Sequence, residues 1–175
     1  RISTASNNSY VGSTTNHPLL FITNDTERMR INSSGDVGIG TASPTSFSTF
    51  RYLDIVGSAT TSGGVLQLRT SDLSVNCLAY ASSAGGYLGT STNHNLYFLT
   101  NNSTRAMIDS SGNFLVGKTS DNFAVEGTAI RGSTSGSKVT ITRDGNNALA
   151  LNRLTSDGSI ITFNKQGSAV GSISV

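Results

Sequence analysis

The stretch "MRINSSGDVGIGT", Met29 to Thr41, and the tripeptide "TNH", which occurs twice, hold the residues whose types and spacing bear most directly on chemistry. Gly35, Gly38 and Gly40 form a G-x-x-G-x-G run, and glycine-rich runs cradle phosphates when their amides open a helix. The order differs from the dinucleotide fingerprint and no helical periodicity comes after it, so these glycines read as a turn and a closely packed strand. His17 and His94 end the two "TNH" words. Imidazole is a common ligand for Zn, Ni and Fe, but a lone histidine makes an ion site only if symmetry brings its equivalents together on an axis. Otherwise it is a hydrogen-bonded surface or interface residue. Asp54, Asp109, Asp121, Asp144, Asp157, Glu27 and Glu126 are the acids from which a glycosidase pair would be drawn. Spacing pairs none of them, and most lie in or beside turns, where a cap explains a carboxylate. Cys77, the single cysteine, sits in "VNCLAY" and reads as a small packing residue. No catalytic residue and no cofactor-binding residue is assigned, no cofactor is expected, and the expectation is a protein that is not an enzyme.

The elements that would position these residues are organised by internal repetition. Tyr10 to Gly40 aligns without gaps on Tyr87 to Gly117, a displacement of 77 residues that matches His17 with His94, Phe21 with Phe98, Arg28 with Arg105, Gly35 with Gly112 and Gly40 with Gly117. The second copy reads "GNFLVG" and lacks the middle glycine, which removes the phosphate-loop reading. A shorter rule, an apolar residue with Gly four positions later, recurs at Ile31, Ile108, Ile141, Leu154 and Phe163. The turns "SSGD", "SSGN", "RDGN", "SDGS" and "KQGS" use residues that bond their own backbone together with a glycine that accepts positive φ, so each predicts a hairpin or strand corner. Between them, "VLQLRT", "KVTITR" and "NLYFLT" have the period of strands. No segment carries a sustained helical stripe. In the opening stretch a strand ends at Ile31 and the next begins with Val37 and Ile39 leaning inward. Arg28 and Arg105 are expected to be paired or hydrogen-bonded at a chain interface, with Glu27, Asp25 or Asp109 among the candidate partners. Tyr10, Tyr52, Tyr80, Tyr87 and Tyr97 are the candidates for stacking on sugars, although the recurrence of Tyr10 as Tyr87 argues for structural use.

Composition says how such strands would find a core. Ser, Thr, Asn and Gly make up 85 of the 175 residues, charged residues are 13% and apolar ones 35%, against the ~45–50% apolar share of ordinary domains. Disordered chains are similarly poor in apolar residues but carry high charge and few β-branched or aromatic ones; here Val, Ile, Thr, Phe and Tyr run throughout. The net charge of +2 gives no electrostatic support for nucleic-acid binding, and no run reaches the ~18 apolar residues of a membrane span. Short strands with so little apolar material are expected to share a core among several chains. A 77-residue period is also long for a solenoid coil of ~20–45 residues.

The words "LLFITNDTERMRINSSGDVGIGTASP", "LYFLTNNSTRAMIDSSGNFLVGKTS" and "LNRLTSDGSIITFNKQGSAVGSIS" resemble the shaft and distal repeats of bacteriophage tail fibres and tailspikes. The resemblance covers roughly Tyr10 to Ser120 and Asn147 to Ser174. It implies an all-β fold: an elongated parallel homotrimer, an intertwined triple β-helix or β-prism of short strands and tight turns. Residues 1–44 would be a first repeat module, 45–86 an intervening β segment, 87–120 a second module and 121–175 a distal β segment with short hairpins. The implied function is attachment to the host cell surface from an extracellular, virion-borne fibre, with tail or baseplate proteins on one side and a host glycan or protein receptor on the other, without nucleic acid and without membrane insertion. In such a trimer His17 and His94 are the candidate axial metal ligands. A bacterial trimeric adhesin stalk and a tailspike glycan hydrolase are the alternatives. Many such fibres end in a self-cleaving chaperone domain; no match to one is seen here, and the chain is expected to be a piece of a longer or processed polypeptide.

Overall fold

The computed structural model describes residues 2–5, 8–45, 49–132 and 136–174. It is all-β; no helix occurs among the described residues. The chain forms two units, Arg1–His94 and Asn95–Val175, each with its own sheets. Their boundary falls inside the second copy of the repeat, directly after its "TNH".

The first unit holds an antiparallel pair, β1 (Ile2–Ala5) and β2 (Asn8–Val11), and two sheets. One is four-stranded, in the order β3 (Leu19–Thr23), β4 (Thr26–Ile31), β5 (Val37–Ile39), β6 (Leu53–Ile55). The other is three-stranded, β7 (Ser62–Arg69), β8 (Asn76–Ser82), β9 (Gly85–Thr90). The second unit is a five-stranded antiparallel sheet, β10 (Leu96–Thr100), β11 (Ser103–Ile108), β12 (Phe114–Val116), β13 (Gly127–Arg131), β14 (Lys138–Thr142), and then the hairpin β15 (Ser159–Lys165) and β16 (Ser168–Ser174).

The repeat is a repeat of structure. β3, β4 and β5 start and stop 77 residues before β10, β11 and β12, and the register slips at the same place, after Phe21 and after Phe98. Asn24 and Asp25 turn β3 into β4 with φ of 49° and 51°, and Asn101 and Asn102 do the same at 49° and 56°. Two successive residues with positive φ make the turn whose twist matches that of the flanking strands. Asn and Asp are the side chains that best tolerate that region.

The "SSGD" turn is organised from the residue just before it. Asn32 Oδ1 accepts the amides of Ser34 and Asp36 at 3.0 and 2.8 Å, and its Nδ2 donates to Asp36 Oδ2 at 3.0 Å. In the second copy Asp109 Oδ1 accepts the amides of Ser111 and Asn113 at 2.9 and 2.8 Å, while Asn113 Nδ2 donates to Asp109 Oδ2 at 2.8 Å. Carboxylate and amide have traded places and the bonds are kept. The "KQGS" turn also closes a hairpin, between β15 and β16. "RDGN" and "SDGS" do not: β14 runs out into a segment without strands, and Ser156–Ser159 leads into β15 from the same segment. There the hydrogen bonds come from side chains, with Arg153 donating to the Ser156 carbonyl and hydroxyl.

Beyond Gly40 and Gly117 the copies part. In the first, the chain passes through Thr41 to Pro44 and returns as β6, parallel to β5. In the second it returns as β13, antiparallel to β12. A Cβ on Gly40 (φ +73) would lie 2.4 Å from the Val56 carbonyl oxygen, and one on Gly38 would lie 2.9 Å from that of Thr41. The close approach these glycines permit is therefore to their own chain. In the second copy Lys118 is buried, and its Nζ donates to the carbonyls of Asn122 and Val125 at 2.6 and 3.0 Å, which ties down the connection to β13.

Among the described residues the buried apolar side chains are Met107, Leu115 and Ala129. They form one row across the five-stranded sheet, since Leu115 is the register partner of both Met107 and Ala129. The corresponding row in the first copy is Arg30, Gly38 and Asp54, and there Arg30 grips Glu27 through two hydrogen bonds of 2.5 and 2.6 Å. An ion pair beside a glycine thus replaces an apolar contact. Val37 and Ile39 were expected to lean inward; the face their own chain covers is instead that of Gly38, because alternation along a three-residue strand puts its ends on the side opposite its middle.

Candidate functional site

The faces turned away from those rows are apolar and partly exposed. On the five-stranded sheet, Leu96, Ile108, Phe114, Ile130 and Val139 stand side by side across all the strands. Ile130 is 45% exposed and Val139 61%. A second row on the same face carries Phe98, Val116 and Ile141. The four-stranded sheet repeats the arrangement with Leu19, Ile31, Val37 and Leu53 in one row and Phe21, Met29, Ile39 and Ile55 in the next. The three-stranded sheet adds Val65, Leu66, Leu68 and Leu88, all exposed. Isolated apolar side chains on a surface are ordinary, whereas contiguous ones mark an interaction site.

His17 and His94 lie at matched positions and both are exposed. Each closes a tight turn, its amide donating to the carbonyl of Thr15 or Thr92 at 2.7 Å. The His94 Nδ1 lies 3.1 Å from Thr92 Oγ1, which orients the ring. Among the described residues no group of three or more His, Cys, Asp or Glu side chains is placed to hold a metal ion.

The acids are held locally. Asp36 is buried, accepting from the Asn32 amide group and from the Tyr52 amide at 3.2 Å. Asp54 accepts the Thr45 amide at 3.1 Å. Asp109 feels burial, which raises its pKa, yet the bonds from Asn113 and from the amides of the turn outweigh it and hold its carboxyl below the ordinary range. The Asp72 carboxylate is lowered by hydrogen bonds from Thr70 and Ser74, and that of Glu27 by its bond with Arg30. Glu126 accepts the Asp144 amide at 2.7 Å and lies 3.7 Å from Arg143. These are turn and strand-end duties. Within the chain Arg28 and Arg105 are hydrogen-bonded: each reaches across its hairpin, Nε to Oγ1, to Thr23 or Thr100 at 2.8 Å. Thr23 and Thr100 recur with the arginines in the sequence, and that was the signal.

Of the tyrosines, Tyr80 and Tyr87 face each other across β8 and β9 and stack with ring centroids 4.6 Å apart. Tyr97 accepts a hydrogen bond from Asn95 at 2.9 Å and is half exposed. The side chain of Tyr10 lies outside the described residues. Cys77 is a free, half-buried cysteine on β8. No helix among the described residues is long and apolar enough to cross a membrane.

The feature missed by reading the sequence is a polar hollow of about 590 Å³ in the second unit, lined by Ser111, Asn113, Asp121, Arg131, Gly136, Ser137 and Lys138. The guanidinium of Arg131 lies against Asp121, Nη2 donating to Oδ1 at 2.5 Å; Nε is as close to Oδ2, but its N–H is not aimed at the oxygen. The lining residues are scattered from 111 to 138, so no local word announces them.

Compared with known proteins, the chain matches no family model, no curated protein and no solved structure.

Proposed function

We propose that this chain is a segment of a trimeric phage tail fibre that attaches the virion to the host cell surface, its three copies sharing the apolar faces that each leaves open. The observation that carries the reading is the mismatch between a buried row of Met107, Leu115 and Ala129 and the apolar rows left exposed on the small sheets. The surface area expresses the same mismatch. The chain exposes 13150 Å², whereas a compact monomer of its mass would expose about 8,100 Å² and two separate compact halves about 9,800 Å². The surplus of roughly 3,400 Å² is of the order buried in obligate interfaces, about 2,000–5,000 Å². The fibre identity rests on the repeat words that resemble those of tail fibres.

The mechanism is mechanical and multivalent. Any receptor-contacting surface is present three times within a short distance, so a weak contact with a glycan or protein receptor gains avidity from the second and third. In this trimer His17 and His94 turn toward the axis and each level holds one ion. Light scattering or mass photometry should find three chains per particle, and a stable folded monomer would sink the reading. Elemental analysis of the purified trimer should find about one metal per three chains at each level; a metal-free trimer would remove the axial sites and leave the fibre.

A further inference from the structure

The hollow of the second unit is built around a charge arrangement that a folded sheet would not choose for its own stability. Arg131 on β13 and Lys138 on β14 are register partners. Like charges directly opposite each other in an antiparallel pair are destabilising. One of the two cations is answered by Asp121, held against Arg131 at the side of the hollow. The other, exposed Lys138, has no ion-pair partner among the described residues. A lysine on an edge strand discourages pairing with another sheet, which explains a lysine on β14 but not its placement opposite an arginine. Around them Ser111, Ser137 and Asn113 bring hydroxyls and an amide, and Gly136 its backbone. The volume of about 590 Å³ exceeds the needs of a small inorganic anion and lies within the range of small-molecule sites, about 300–1,000 Å³.

We propose that this hollow binds an anionic saccharide unit, its charged oxygens on Lys138 and its hydroxyls on Ser111, Ser137 and Asn113. The inference deepens the attachment reading and rests on it for the biological source of the ligand. A sugar carboxylate and a sugar phosphodiester share the required chemistry, an anionic oxygen group on a polyhydroxylated frame, and the test separates them.

The full chain is titrated by calorimetry with tetragalacturonate, with a ribitol-phosphate oligomer and with neutral maltotetraose, at low and at high salt. At least one charged probe should bind saturably and the neutral one far more weakly, with affinity falling as salt screens the contact. Lys138→Gln should weaken that binding about tenfold, the size of one charge-assisted hydrogen bond. Lys138→Arg should retain it, and an unchanged circular dichroism melt checks that both variants fold. Binding of the uronate alone identifies a carboxylate ligand and binding of the phosphate oligomer alone a phosphodiester. Binding of neither, or equal binding of the neutral probe, overturns the proposal, as does binding indifferent to Lys138→Gln. Mass photometry on the same samples keeps the two readings apart: a trimer that ignores both charged probes loses the pocket and keeps the fibre, and a monomer that binds one loses the fibre and keeps the pocket.

Discussion

Leu115 and Phe114 are neighbours on β12 whose side chains leave the strand on opposite faces, and truncating each should report on a different kind of stability. Leu115 is fully buried between Met107 and Ala129. Leu115→Ala deletes apolar atoms from the only buried apolar row among the described residues and leaves a cavity, a loss of about 2–5 kcal/mol. That is a large fraction of the ~5–15 kcal/mol that holds a typical domain. The loss belongs to the single chain and should not depend on protein concentration. Phe114 is 36% exposed, so about 70 Å² of a ring that can bury about 200 Å² awaits a partner. At about 25 cal/mol per Å², covering it in a trimer is worth about 1.8 kcal/mol per chain, or about 5 kcal/mol per particle. Phe114→Ala should lower the urea midpoint by less than Leu115→Ala does, and the midpoints should fall as the protein is diluted, because assembly and folding are then linked. The assay is urea denaturation monitored by circular dichroism at two concentrations a hundredfold apart. If the midpoints of both variants shift equally and ignore concentration, the distinction between a covered and an open face is wrong.

Further outcomes concern the turns. Asp109→Asn should cost about 1–2 kcal/mol at neutral pH through its lost charge-assisted bonds. The double change Asp109→Asn with Asn113→Asp should restore most of that in thermal melts, because the first copy already uses this order at Asn32 and Asp36. In the parent chain the folded Asp109 carboxyl is depressed, so its contribution is complete above its unfolded value of about 4 and is lost as pH falls through the lower folded one; acid titration of stability should show the loss in the parent and not in Asp109→Asn. Gly40→Ala meets both a left-handed backbone and the Val56 carbonyl, whereas Gly117→Ala at φ +71 finds its nearest atom at 4.0 Å. The second should cost about 1–2 kcal/mol and the first distinctly more, and equal melting shifts would contradict the close approach. Lys118→Met should lose about 1–3 kcal/mol by leaving the Asn122 and Val125 carbonyls unpaired, seen as faster amide exchange in residues 119–126.

How far the sequence could be read depended on where each signal is written. Turn chemistry is local: Gly35 and Gly112 carry their φ preference in their own residue type, so the turns between β4 and β5 and between β11 and β12 could be placed from the words alone, whereas those at Asn24–Asp25 and Asn101–Asn102 contain no glycine and went unplaced. "RDGN" and "SDGS" carry the same residue types without strands to join, because the segment around Leu149 to Leu154 pairs with no strand of the described chain. Facing could not be read, since a strand of three residues such as Val37–Ile39 holds too little alternation to say which side its own chain will cover. Partner choice was equally hidden. Arg28 had carboxylates nearer in the sequence than Thr23, but the hairpin twist brings the hydroxyl under its guanidinium. The polar hollow escaped notice because its residues come from the turn before β12, the connection after it and the register of β13 on β14.

The exchange of Asn32 and Asp36 for Asp109 and Asn113 has one more consequence. Each copy keeps a single negative charge and a single amide inside its turn, and the backbone ahead of Gly40 and Gly117 cannot tell which order it contains. Past those glycines the two copies differ in sequence, in strand direction and in length. The glycine is thus a splice point: upstream lies a standard cassette, downstream whatever return path the next segment dictates. A chimera that runs from Tyr10 to Gly40 and continues at Lys118 keeps every hydrogen bond inside the turn. Recombination at that one residue exchanges the return path and keeps the turn, while the row of Arg30 and Gly38 or of Met107 and Leu115 has to be matched by the strand that returns.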